Sequence, residues 1–167
     1  NMELEINSKT LSSVLNVMEM KGKYCGDNGL TNSSLGEFVK IYAVADSWRT
    51  GYYFCNGNHQ TFVSYYLPAI VEENDDCVLN ATILSKYLKS MKGDITLTVD
   101  DLCAIESETK SMSIPVALVH PYEAALDRYL KLTYENCIYT QDLGQMELKE
   151  IMLTNAVNIS MAELRDA

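Results

Sequence analysis

The chain has 167 residues, 47% hydrophobic and 22% charged, a length that suits one compact domain or one domain and part of another. Its apolar content, with only eight glycines and three prolines, excludes a disordered chain, and no apolar run approaches the ~20 residues of a membrane helix. Thirteen basic against 23 acidic side chains give a net charge of −10, which excludes a general nucleic-acid coat but not a local basic face.

Asn1 before Met2 reads as a vector remnant, with Met2 the natural start. Residues 2–6 alternate as a short strand with Leu4 and Ile6 on one face. Asn7 or Ser8 can cap the helix that follows, where Leu11, Val14, Leu15 and Met18 form one apolar stripe. Gly22 and the Cys25-Gly26-Asp27-Asn28-Gly29 stretch end it in a loop. Strands are predicted over 38–45, 51–55 and 61–67, with a hairpin turn at Asn56-Gly57-Asn58. The acidic run 72–76 reads as a solvated turn, and 77–79 as a short strand. A second helix carries Ile83, Leu84, Tyr87, Leu88 and Met91 on one side and closes at Lys92-Gly93-Asp94. Three strands follow over 95–99, 102–106 and 111–115. The pattern is α+β with antiparallel sheets, so a parallel nucleotide-binding sheet is not expected.

His120-Pro121-Tyr122 marks a boundary. Residues 121–135 read as a connector, 136–140 as a strand, and 146–153 as a third amphipathic helix. A strand, a polar break and a helix repeat the opening of the chain.

Three stretches carry a family resemblance: MELEINSKTLSSVL (residues 2–15), VLNATILSKYLKSMKGDITLTVDD (78–101) and LKEIMLTNAVNISMA (148–162). The sequence resembles the bacterial sliding clamp, the beta subunit of DNA polymerase III, over most of its length in order. The archaeal and eukaryotic clamps share the same domain architecture. The Pro-Ile-Leu usual before the second strand is replaced by Asn32-Ser33-Ser34-Leu35. The resemblance implies a sliding-clamp fold, with two amphipathic helices packed on antiparallel sheets. Residues 2–120 would form a first clamp domain, 121–135 a connector, and 136–167 the incomplete beginning of a second. The chain is accordingly expected to be an N-terminal fragment or a short relative, soluble and cytoplasmic.

The implied role is a non-enzymatic processivity factor that encircles double-stranded DNA without reading its sequence. DNA polymerase and clamp loader are the implied partners, with self-association into a ring in the full-length protein. The helix faces turned to DNA would carry a few cations and small polar groups, because too tight a grip on phosphates would stop sliding. The first helix offers Lys9, Ser12, Ser13 and Asn16, with Lys21 and Lys23 beyond; the second offers Thr82, Ser85, Lys86, Lys89 and Lys92. None of these positions is acidic, in a chain of net charge −10. Taken alone, such lysines are more often a merely solvated helix face. A clamp-like interaction module that never encloses DNA is the alternative.

No catalytic residues, cofactor or metal site are expected. Cys55 and His59 lack two further placed ligands, and His120 before a proline reads as structural. The Asp75-Asp76 and Asp100-Asp101 pairs read as turn residues, and Trp48-Arg49 as a hairpin surface. The five cysteines form no C-x-x-C pair and read as buried reduced thiols.

Overall fold

The computed structural model describes residues 2–19, 37–45, 50–59, 61–135, 137–140 and 145–148, with single positions at 160, 162 and 165. In chain order the elements are β1 (Met2–Asn7), α1 (Ser8–Met18), β2 (Phe38–Val44), β3 (Gly51–Gly57), β4 (Phe62–Pro68) and β5 (Asp75–Asn80). Then follow α2 (Ala81–Leu88), β6 (Asp94–Val99), β7 (Leu102–Glu106), β8 (Ser111–Ala117), α3 (Glu123–Glu135), β9 (Cys137–Thr140) and β10 (Gln145–Leu148).

The first eight strands form one antiparallel sheet in the order β1-β6-β7-β8-β5-β2-β3-β4. Chain order and sheet order together expose an internal repeat. Strand, helix and three strands occur twice, and each opening strand pairs with the other repeat: β1 with β6, and β5 with β2. The caps repeat as well. Asn7 accepts hydrogen bonds from the amides of Lys9 and Thr10, and Asn80 from that of Ile83, which satisfies orphan donors at each helix start. The first helical amides match too: Ser8 N–H donates to Gly93 O at 2.8 Å and Ala81 N–H to Glu37 O at 2.7 Å. Gly93, at φ +74°, takes the left-handed conformation that lets the chain turn from α2 into β6.

Strand alternation places Leu4 and Ile6 opposite Leu97 and Ile95 on the inner face. There they meet Leu11, Val14, Leu15 and Met18 of α1, and Ala81, Leu84 and Leu88 of α2, in one buried cluster. Both helices therefore lie on one face of the sheet. The two sheet halves join through only two residue pairs, Val78 with Ala117 and Leu79 with Val116. The Tyr52 hydroxyl donates to Glu3 O at 2.5 Å, a further link between β3 and the edge strand β1.

The predicted connector contains α3, a 13-residue helix. It covers the opposite face of β2 and β3, where Leu126 and Leu130 pack on Tyr42, Val44, Tyr53 and Cys55. Lys40 is 1% exposed on this face and makes ion pairs with Glu123 and Asp127 of α3. The Tyr42 hydroxyl also donates to Asp127. Burial pulls the Lys40 pKa down, but the Glu123 hydrogen bond and the charges of Asp76 and Asp127 outweigh it and hold it above its ordinary value. Burial and Asp127 push the Tyr42 phenol up.

Three further differences from expectation have local causes. Asn56 and Gly57 are strand residues, because Asn56 points inward. The turn comes later, where Asn58 N–H donates to Thr61 O and Thr61 N–H to Asn58 Oδ1. Asp75 and Asp76 belong to β5 rather than to a turn, as partners of Ala43 and Tyr42. The predicted helix over 146–153 is strand β10 through Leu148, with Met146 opposite Tyr139 and Leu148 opposite Cys137. Met146-Glu147-Leu148 alternates with period two, which a helical stripe starting at Leu148 does not exclude. Residues 149–153 lie outside the described residues.

Because Lys40 is buried, removal of its counter-charges should cost more than removal of the lysine itself. Glu123→Gln with Asp127→Asn is expected to destabilise by about 3 kcal/mol, and Lys40→Met by less, in urea unfolding. Equal, near-zero effects would show that the ion pairs do not hold α3 in place.

Candidate nucleic-acid interface

The exposed faces of α1 and α2 lie side by side and enclose an open groove of about 790 Å³. Ser12, Ser13 and Asn16 line it from α1, and Thr82, Ser85, Lys86 and Lys89 from α2. These residues point outward because the apolar stripe on each helix is committed to the core. Leu11, Leu15 and Leu84 are fully buried, each side chain giving about 1.5–3 kcal/mol on leaving water. Lys9 and Lys92 are exposed but do not line the groove. Lys21 and Lys23 lie outside the described residues. Glu19, which the sequence reading passed over, joins the lining directly after α1.

Charge is unequally divided between the two faces of the sheet. Glu3 and Glu5 of β1 and Glu106 of β7 alternate with core residues and are exposed on the face away from α1 and α2. An anionic polymer would find two lysines, four hydroxyls, an amide and the single carboxylate of Glu19 on one side, and the carboxylates of Glu3, Glu5 and Glu106 on the other.

A buried polar chain ties down the end of α1. Asn56 Nδ2 donates to Met18 O at 2.7 Å and thereby satisfies a carbonyl at the helix terminus. Asn56 Oδ1 lies 2.7 Å from His120 Nε2, and His120 Nδ1 accepts the Tyr122 N–H at 2.9 Å. The imidazole is thus neutral with its proton on Nε2. Burial, then the Lys40 charge, lower its pKa to about 4 against a partial counter-effect from Glu123.

Cys55, Cys77 and Cys103 are buried, free thiols, pushed up by burial to about 12, 12 and 11, so they stay protonated. Cys55 packs beneath α3 while His59 is exposed and meets Tyr122 edge-on at 5.0 Å. Among the described residues no group of three or more His, Cys, Asp or Glu is placed to hold a metal ion. Among the same residues no helix is long and apolar enough to cross a membrane. Asp100 sits in the β6–β7 turn, its N–H donating to Leu102 O. Trp48 and Arg49 lie outside the described residues.

The same fold occurs in solved structures. The DNA polymerase III beta chain of Streptococcus pneumoniae matches with a TM-score of 0.55 at 13% identity, over 73% of this chain and 33% of that one. The chain has the sliding-clamp fold. The beta subunit from Streptococcus pyogenes DNA polymerase gives 0.53 at 15% identity, over 72% of this chain and 32% of its own. The Helicobacter pylori beta clamp bound to a DNA ligase peptide gives 0.50 at 14%, over 70% and 31%. The chain spans about a third of the length of these clamps. No family model matches the sequence, and no curated protein matches it.

Since His120 takes up its proton less readily when folded, its contribution is complete above about pH 6.5 and is lost as pH falls toward 4. The loss should be on the order of 3 kcal/mol, and His120→Gln should reduce that acid sensitivity when urea unfolding is compared at about pH 7 and pH 4.5. An acid loss in the variant equal to the parent's would rule out the imidazole as its source.

Proposed function

We propose that this chain is part of a sliding clamp, a non-catalytic processivity factor that encircles double-stranded DNA and tethers a polymerase in the cytoplasm. The observation that carries the reading is the groove between α1 and α2, with Lys86 and Lys89 among hydroxyl and amide side chains and one carboxylate, that of Glu19, while Glu3 and Glu5 lie on the opposite face. Lysine ammonium groups attract phosphates without reading bases, and the attraction weakens with salt. Hydroxyls and an amide add weak, exchangeable hydrogen bonds. Such a surface favours loose contact in many registers, as sliding requires.

In this reading residues 2–120 form one clamp domain, 121–135 lead out of it, and 136–167 begin the next, the ring closing through further domains and copies. The H. pylori clamp is bound to a DNA ligase peptide. By extension we infer that peptides of a polymerase and a clamp loader dock on the assembled protein. Tethering then turns each polymerase rebinding into an intramolecular event at high effective concentration.

The full-length gene product, once loaded, should remain on circular DNA and be lost when the circle is linearised. Equal retention on both would contradict encirclement and favour a clamp-like interaction module. Lys86→Glu with Lys89→Glu should weaken salt-sensitive duplex binding roughly tenfold at about 0.1 M salt and flatten its salt dependence. Binding unchanged across the titration would remove these lysines from the DNA face.

A further inference from the structure

We propose that Asn56 and His120 form a latch that couples the seating of α3 to the order of the last turn of α1, so that the two loosen together. The latch is a short chain of buried polar groups. Asn56, the penultimate residue of β3, is 0% exposed and His120 is 1% exposed. The Asn56 side chain serves both helices at once. Its Nδ2 donates to Met18 O at 2.7 Å, and its Oδ1 lies 2.7 Å from His120 Nε2. His120 in turn fixes the entry to α3. Its Nδ1 accepts the Tyr122 N–H at 2.9 Å, its carbonyl accepts the Glu123 N–H at 3.3 Å, and the Tyr122 carbonyl accepts the Leu126 N–H at 3.0 Å.

The surroundings make this contact a hinge rather than one bond among many. Leu118 and Val119, which lead into His120, are exposed, so the entry to α3 is held through His120 and not through the chain before it. Among the described side chains of α3 only Ala125, Leu126 and Leu130 are buried. A helix seated on so few apolar groups is a unit that opens locally before the whole chain unfolds. Lifting it withdraws the imidazole from Asn56 Oδ1 and admits water to the amide. Water then competes for the Met18 carbonyl, and the last turn of α1 loses the bond that satisfies its end.

Asn16 lies in that last turn and lines the groove between α1 and α2. A ligand that orders this wall of the groove should therefore steady α3, and a contact that lifts α3 should loosen the wall, by the reciprocity of linked equilibria. The consequence for DNA rests on the reading above; the coupling itself does not.

The test is amide hydrogen exchange of the whole chain without DNA, followed by NMR. Leu130→Ala loosens α3 at a point remote from α1, and His120→Phe keeps a ring while removing its hydrogen bonds. Both should speed exchange about tenfold at Leu126 and also at Met18 and Glu19, with Leu97 and Ile105 in the central strands nearly unchanged. In the parent chain, low urea should bring the amides of α3 and of the last turn of α1 onto one opening isotherm, a readout that needs no variant to fold. Faster exchange in α3 with Met18 and Glu19 unmoved would overturn the coupling. A rise shared equally by Leu97 and Ile105 would overturn it too, since the chain would then open only as a whole. Neither result bears on the DNA reading, which the salt titration of the lysine variants tests separately.

Discussion

Because β1 pairs with β6 and β5 with β2, neither repeat can complete its sheet alone. Each half lends its first strand to the other, and a helix follows directly on each lent strand, started by an asparagine cap. The two helices are thereby drawn under one sheet face and against each other. Leu11 and Leu15 of α1 share a single core with Leu84 and Leu88 of α2. Burial of those stripes turns the opposite stripes to solvent, and the groove of Ser12, Ser13, Asn16, Thr82, Ser85, Lys86 and Lys89 is the outcome. The candidate interface is therefore a product of strand exchange rather than of any loop.

The other sheet face follows a different physical rule. There a lysine is withdrawn from water, which is tolerable only with nearby counter-charge. Glu123 and Asp127, one helical turn apart on α3, supply it, while Leu126 and Leu130 cover the aromatic surface of β2 and β3. His120 stands at the entrance to α3 and, through Asn56, also touches the end of α1. The two helix-bearing faces are thus linked across the sheet by hydrogen bonds whose donors and acceptors are all matched. Among the described residues no buried side-chain nitrogen or oxygen lacks a partner.

Much of this was legible from residue pattern. Apolar spacing at 11, 14, 15 and 18 and at 83, 84, 87, 88 and 91 located both helices and assigned their outward residues, since a helix must hide one stripe, although α2 ends at Leu88, before Met91. The alternation in β1 placed Leu4 and Ile6 on its inward face. Other features were hidden for identifiable reasons. Lys40 sits within a strand, and nothing in its neighbours announces that carboxylates 83 and 87 residues later will reach it. α3 was read as a connector because a short stripe of Leu126 and Leu130 after a proline is a weak signal, although Glu123 in its first turn is a good helix start. Glu19 was passed over because it follows the helix, where sequence alone does not say on which side a cap residue falls. Strand pairing between the repeats joins residues 87 to 97 apart in β1 and β6 and 32 to 42 apart in β2 and β5, which local periodicity does not report.

The central claim is that DNA contacts the face made by α1 and α2 and no other. It is tested most directly by amide NMR shifts of the chain on addition of short duplexes of unrelated sequence. Shifts should concentrate at Ser12, Ser13, Asn16, Thr82, Ser85, Lys86 and Lys89, with one pattern for every duplex. Shifts centred on β1, β7 or α3, or a pattern that changes with base sequence, would contradict it.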